Sequence, residues 1–484
     1  MHASKYISVK SIVVVLIIQL FVLESFSQNP VNTKKTSDYY NNIIIKNDIA
    51  KLNFFFSMMP KGGDLHHHYS GAQYVETYLD WAKEKNLKIN FNTFKIDDNL
   101  KDSLITVDQL RANSDLHRAL ISLWSDQDFY NHVSLQVPPD QHFFNSFSYF
   151  SILCAGNDSA GFQILKKRAI TENVQYIETM FSSVDINANL SQFDEQLLIA
   201  QASKSQEEVT KIFKNMLDTI DEKLVLLGLK NYFNRLNSAQ KGIDDKQFTM
   251  RYQAYASRNS AASKVFVSLY GAFRACIEND YVVGVNLVGP ENGPVAMRDY
   301  WLHMQMFKFL KSQKQFEKVN IALHAGELAM GLVRPEDLSY HINDAINIAG
   351  ATRIGHGIDM PYEKNAINLI RSMAKNQNVV EINLTSNEFI LGIKGNQHPI
   401  RLYYDAGVPI VISTDDAGVS RNNLSNEYML LASRYKFSYE EIKNLVANSI
   451  NYSFLPKETK IKQLELLQKR FVNFETQVGE FLSH

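Results

Sequence analysis

Val319-Asn320-Ile321-Ala322-Leu323-His324-Ala325-Gly326-Glu327 is an apolar run that ends on a histidine and turns through a glycine to a glutamate. It is too short for a helix, and its unbroken apolar character suits a strand buried on both faces, as in a parallel sheet covered by helices. Similar β-like runs occur at 64–68, 174–180, 264–270, 282–287, 353–356, 379–383 and 408–413, which with 319–324 makes eight. Helix-like stretches separate them. Eight such strands alternating with helices predict an α/β fold of the (β/α)₈ TIM-barrel type. Two gaps, 72–173 and 183–262, exceed a single crossover helix and predict helical insertions. Within the second, Leu197, Ile199, Val209, Ile212, Phe213, Met216 and Leu217 give 192–238 the spacing of an amphipathic helix.

The chain has 484 residues, 45% hydrophobic and 21% charged, with a formal charge of −1. Such a balance offers no electrostatic footing for nucleic acid or another polyanion, and leaves small neutral substrates open. No glycine-rich phosphate loop follows a strand, which excludes a Rossmann or P-loop reading. Only Cys154 and Cys276 are present. They rule out a cysteine-rich zinc site and read either as a disulfide that export permits or as two buried free thiols.

Lys5 and Lys10 precede an apolar run from Ile12 to Leu23, followed by Ser25-Phe26-Ser27 and the polar Gln28-Asn29-Pro30. That order reads as a secretory signal over 1–27, with the mature protein secreted or periplasmic and no stable membrane insertion after cleavage. The alternative is an N-terminal anchor helix, although the run falls short of about 20 apolar residues. Residues 28–36 read as a polar linker and 37–57 as a helix capped by Ser37, so that 28–58 forms an N-terminal helical arm before a barrel over 59–484.

Polar side chains gather at the ends of the β-like runs, and the C-terminal strand ends of a barrel share one mouth. His66 and His68 lie two apart on one strand, so both rings face the same side while His67 faces away. Two neutral imidazoles on one face suit a zinc ion. His324 supplies a third candidate ligand, and Glu327 is placed to act as acid and base. His356 ends another run. Asp415 and Asp416 are adjacent carboxylates, which repel one another unless a cation or a proton offsets them. Taken singly, each of these has an ordinary structural explanation, such as a helix N-cap for the aspartate pair. Their coincidence at β-run ends points to a metal-dependent active site.

Several motifs together resemble the adenosine deaminase family, closest to its secreted, growth-factor-like branch. They are Met59-Pro60-Lys61-Gly62-Gly63-Asp64-Leu65-His66-His67-His68, Gly284-Val285-Asn286-Leu287-Val288-Gly289-Pro290-Glu291, His324-Ala325-Gly326-Glu327, Thr352-Arg353-Ile354-Gly355-His356-Gly357 and Ile412-Ser413-Thr414-Asp415-Asp416. The resemblance implies hydrolytic deamination of adenosine, and of 2'-deoxyadenosine, to inosine and ammonia. The alternative is a related zinc amidohydrolase acting on another aminated purine or a modified adenosine. It implies one Zn²⁺ per chain on His66, His68, His324 and Asp415. Further implied roles are an attacking water oriented and deprotonated by His356 and Asp415, a proton for purine N1 on Glu327, contacts from Gly289 to N3 and from Asp416 to N7, and a substrate-facing His68. A homodimer through 37–57 is a further implication. Three positions depart from the family pattern. Tyr69-Ser70 replace a ribose-binding aspartate, Asn286 replaces an aspartate, and Ala417 replaces a proline. A cytidine-deaminase type is excluded, because neither cysteine lies in the required P-C-x-x-C context. A non-catalytic binding protein would be expected to have lost part of the ligand set, and none is missing.

Overall fold

The computed structural model describes residues 30–96, 103–131 and 136–483. In chain order its strands are β1 (Gly62–His68), β2 (Lys88–Asn90), β3 (Leu104–Thr106), β4 (Val174–Ser182), β5 (Thr249–Ser257), β6 (Val282–Val288), β7 (Ala322–Ala325), β8 (Arg353–His356), β9 (Val379–Ile382) and β10 (Ile410–Ile412). β2 and β3 form a small antiparallel pair. The other eight run in two parallel four-stranded sheets, β1-β4-β5-β6 and β7-β8-β9-β10. Single parallel bridges join the sheets at both edges, His67 with Asp415 and Val285 with Ile321. At the first, Asp415 N–H donates to the His66 carbonyl (2.9 Å) and His68 N–H donates to the Asp415 carbonyl (3.2 Å). The two sheets thus curl like a barrel, and helices pack on the outside. Helix Ala262–Glu278 lies against β5 and β6, and helix Tyr439–Asn451 lies against both β1 and β10. The latter also grips the joint through Ser449, whose Oγ accepts from Gly63 N–H at 2.7 Å.

The expected strand at 264–270 is instead part of helix Ala262–Glu278. Its Val-Phe-Val segment has β propensity, but the apolar pattern continues through Leu269, Ala272, Phe273 and Ala275, all buried, with no breaker. Burial along a helix wins over local preference. The strand in that place is β5, where Met250, Tyr252, Ala254 and Ala256 alternate as fully buried residues. Its small and polar residues hide it from a search for apolar runs. The extra helices of the second gap therefore end at Gln240, before β5, and there are three of them: Asp194–Ala202, Gln206–Thr219 and Glu222–Gln240. Ser205 and Asp221 cap the second and third, which is why 192–238 is not one helix. Val209, Ile212, Phe213 and Met216 face inward as their spacing predicts, whereas Ile199 is exposed.

The N-terminal segment also differs from its reading. Helix starts at Pro30, whose fixed φ suits a first turn, so 30–36 is not a linker. The expected single helix over 37–57 is two, Pro30–Lys46 and Ile49–Met58, broken where Asn47 takes a left-handed φ of 49°. Asp48 caps the second, accepting from Lys51 N–H at 3.1 Å. Tyr40, Ile43, Leu52, Phe55 and Phe56 are buried within the chain's own core. The apolar face of this arm is thus occupied internally. The expected export signal, 1–27, lies outside the described residues.

The segment between β1 and β4 carries helices Val75–Glu84, Val107–Ala112, Ser114–Trp124, Pro139–Phe150 and Asp158–Thr171. The first four, with the β2–β3 pair, build a separate apolar core around Tyr78, Trp81, Trp124 and Phe150. Cys154 and Cys276 are unpaired thiols. Among the described residues no helix is long and apolar enough to cross a membrane.

Candidate metal centre

β1, β7, β8 and the turn after β10 deliver their C-terminal residues to one place. One ligand atom each from His66, His68, His324 and Asp415 lies within 4.8 Å of the others, and Glu327, His356 and Asp415 form an overlapping group on the same criterion. His66 Nε2 and His68 Nε2 stand 3.4 and 3.3 Å from Asp415 Oδ1, and His68 Nε2 stands 3.1 Å from His324 Nε2. His67 faces away, its Nδ1 at 2.9 Å from Thr179 Oγ1. Glu327 Oε1 is 3.6 Å from His356 Nε2. His356 and Asp415 both adopt left-handed backbone, at φ 67° and 61°, which turns each side chain across the strand end.

Close packing demands glycine at two points. A Cβ on Gly355 would stand 2.6 Å from His66 Cε1, and one on Gly71 would stand 1.5 Å from Asp416 Oδ1. Gly289, with φ 99°, lines a cavity of about 240 Å³ together with Ser70, Met180, Tyr255, Glu327, Asp416, His68, His324 and His356. Phe143, Phe144 and Phe147 on helix Pro139–Phe150 line it as well. The structure brings together every residue singled out from the sequence as a ligand, catalyst or substrate contact. Tyr69 is not among the cavity residues; it is buried against Phe162 and Phe181.

The donor set fits a cation. His66 Nδ1 lies 2.7 Å from the Glu381 carboxylate and His324 Nδ1 lies 3.0 Å from Asn286 Oδ1. Each ring can donate through Nδ1, so that in its neutral form each presents a bare Nε2 lone pair to the centre. His66 Nε2 is buried without a hydrogen-bond partner. Burial opposes charge on His66, yet the Asp415 and Glu381 carboxylates outweigh it and hold the imidazole up at about 10. The site therefore favours a positive charge at its centre. Burial would raise Asp415, but hydrogen bonds from His66 and His68 keep its carboxyl well below the ordinary value. Burial and the neighbouring Asp415 push Glu327 well above the ordinary carboxylate range, and burial lifts Asp416 to about 8. Asp416 is thus protonated near neutrality, and Glu327 is harder to ionise than an ordinary carboxyl.

Beneath the ligands runs a closed loop of buried polar side chains that sequence reading did not find. From His66 it passes to Glu381, then to Arg353 (Nε to Glu381 Oε1, 2.6 Å), and on to Glu178 (2.5 Å). It continues through Gln253 (2.9 Å) and Asn286 (2.9 Å) to His324. The signal for it was a charged residue inside an otherwise apolar strand, as at Glu381. A second support is Glu291, whose carboxylate accepts the backbone N–H groups of Gly326 (3.1 Å) and Glu327 (2.9 Å). Burial would raise Glu291, but Arg258 and His341 beside it bring its carboxyl down to about 2.

Residues 234–470 match the family model described as Adenosine deaminase. An adenosine deaminase of Clostridium acetobutylicum is 33% identical over 150 residues, 31% of this chain and 42% of that protein. The matched stretch thus spans less than half of that relative's length. An adenosine deaminase of Clostridium perfringens is 23% identical over 82% of this chain and 95% of its own. The apo structure of the N6-methyl-AMP deaminase from Arabidopsis thaliana superposes with a TM-score of 0.56 at 17% identity, over 86% of this chain and 98% of that one. That likeness concerns the fold.

Proposed function

We propose that the chain is a zinc-dependent hydrolase of the adenosine deaminase family that converts adenosine, and 2'-deoxyadenosine, to the corresponding inosine and ammonia. The observation that carries the reading is the convergence of three imidazoles and a carboxylate within 4.8 Å, beside a buried acid that keeps its proton. His66, His68, His324 and Asp415 would hold the zinc ion, which when bound would supply a water acidic enough to ionise near neutrality. The chain's own residues do the rest. Glu327 gives its proton to purine N1, which draws electrons from C6 and opens it to attack. His356 and Asp415 face the attacking water, orient it and take up its proton. Asp416, protonated, donates to N7, and the Gly289 N–H meets N3. We read the two sheets as halves of one (β/α)₈ TIM barrel, the frame that brings these strand ends to a common mouth.

A neutral nucleoside suits the cavity better than a nucleotide. None of its lining residues is a lysine or arginine, so the cavity wall itself offers a phosphate no ammonium or guanidinium group. A second reading, deamination of a modified adenosine or another aminated purine, is favoured by the Tyr69-Ser70 pair. Tyr69 is turned into the core and only Ser70 faces the cavity, so the sugar is held by something other than an aspartate at this position. The same reading takes the chain as a homodimer of the family's secreted branch, exported through 1–27. N-terminal sequencing of protein recovered outside the cells tests the export.

The deciding assay follows release of the C6 amine by the purified, zinc-loaded protein: ammonia from adenosine, 2'-deoxyadenosine and AMP, and methylamine from N6-methyladenosine. Chelator-sensitive release from the unphosphorylated nucleosides, lost in Glu327→Ala, is expected. Faster release from AMP overturns the nucleoside assignment, and release from none of them by a folded, zinc-loaded sample overturns the deaminase.

A further inference from the structure

The backbone N–H of Ile400 starts a chain of hydrogen bonds that ends at the reacting centre. It donates to His398 Nδ1 at 3.1 Å. A backbone N–H can only donate, so this Nδ1 accepts, and a neutral ring then carries its proton on Nε2. His398 is buried, and burial pushes its imidazole down to about 3. Its Nε2 lies 3.2 Å from the side chain of Asn387, and the atom that receives it is Oδ1. The amide is thereby oriented, and its Nδ2 faces His356 Nδ1 at 2.9 Å. Asn383 Nδ2 approaches the same nitrogen at 3.4 Å. An amide nitrogen has no lone pair to offer, so His356 Nδ1 is the acceptor. The proton of the neutral His356 ring then sits on Nε2. That nitrogen is buried without a hydrogen-bond partner of its own and faces Glu327 at 3.6 Å. Asn387 and His398 belong to neither the ligand set nor the cavity lining.

We infer that Asn387, clamped by His398, is a positioning residue that fixes His356 as the Nε2–H tautomer, so that His356 donates a hydrogen bond to the attacking oxygen and does not remove its proton. This rests on the proposed deaminase only for its kinetic part. It sharpens that reading by separating two residues that would otherwise share one role.

Asn387→Asp places a carboxylate of nearly the same shape at Nδ1. A carboxylate accepts, so the His356 proton moves to Nδ1 and the bare Nε2 lone pair turns toward the water. Protein labelled with ¹⁵N-histidine reports the tautomer through two-bond ¹H–¹⁵N correlations, with His356 assigned by the signals lost in His356→Gln. The wild type is expected to show Nε2–H with and without zinc, and Asn387→Asp to show Nδ1–H. In the same variant kcat should fall by about 10²-fold, the scale of losing one donor to a reacting oxygen, while KM changes little. His398→Gln keeps an N–H for the Asn387 oxygen and should retain the tautomer, whereas His398→Leu should lose it. An Nδ1–H signal from His356 in the wild type overturns the inference, even where Asn387→Asp does not fold. So does a switched tautomer with unchanged kcat. The tautomer is read without substrate, so a failure of the adenosine assignment leaves this part standing, and the kinetic part then runs on whichever purine is turned over.

Discussion

On the floor of the cavity the functional side chains are gripped through polar atoms, whereas on its aromatic wall three phenylalanines rest on one helix and make apolar contacts. His66 and His324 are tied to Glu381 and Asn286, and the backbone at Glu327 is tied to Glu291. Phe143, Phe144 and Phe147 come from helix Pro139–Phe150, in a segment with an apolar core of its own. Directional bonds set an angle; apolar packing fills a volume. The floor is therefore suited to placing reacting atoms, and the wall to selecting what fits above them.

The largest effect should come from the floor's proton. Glu327→Gln keeps the shape but has no proton to give, and kcat should fall by about 10³-fold with zinc content unchanged. Loss of zinc in that variant would mean that the acid and the ligand set are one unit. Next comes the support beneath the ligands. Glu381→Gln exchanges the charged acceptor of His66 Nδ1 for a neutral one and should weaken zinc binding by about 10- to 100-fold in a chelator competition. Unchanged affinity would reduce the polar loop to core filling. On the wall, Phe147→Ala should raise KM for a nucleoside by about tenfold and leave kcat nearly intact. A kcat loss as deep as that of Glu327→Gln would erase the distinction between wall and floor. The smallest effect concerns acid stability. Glu291 has its folded pKa depressed from 4.5 to about 2, so its contribution is fully present above the unfolded value and is lost as pH falls through the folded one. The difference in Tm between wild type and Glu291→Gln, a few degrees above that window, should shrink across it. A difference independent of pH would assign the loss to packing.

The same division explains what could be read from the sequence. His66, His68, His324, His356 and Asp415 were legible because each ends or follows a β-like run, and strand ends converge whatever lies between them. The polar loop was not legible, because its contacts join residues as far apart as 75 and 315 positions, and nothing local marks one glutamate as the partner of one histidine. Asn387 and His398 were missed for a related reason: their meaning lies in the direction of each hydrogen bond. β5 escaped because Ala254 and Ala256 fill its inward face with little hydrophobic weight. Helix Ala262–Glu278 was misread because a seven-residue window saw Val-Phe-Val and not the seventeen residues of helix around it.

The joint between β1 and the end of β10 has a kinetic consequence. Leu65 N–H reaches Ser413 Oγ across 348 positions of chain, and the neighbouring bridge joins His67 to Asp415 between two pairs of site residues. Bringing together positions so distant costs loop entropy that little is gained for until the intervening strands are in place. In refolding, recovery of activity should therefore lag behind recovery of helical signal, because the ligands from the first and last strands meet only when the two sheets join.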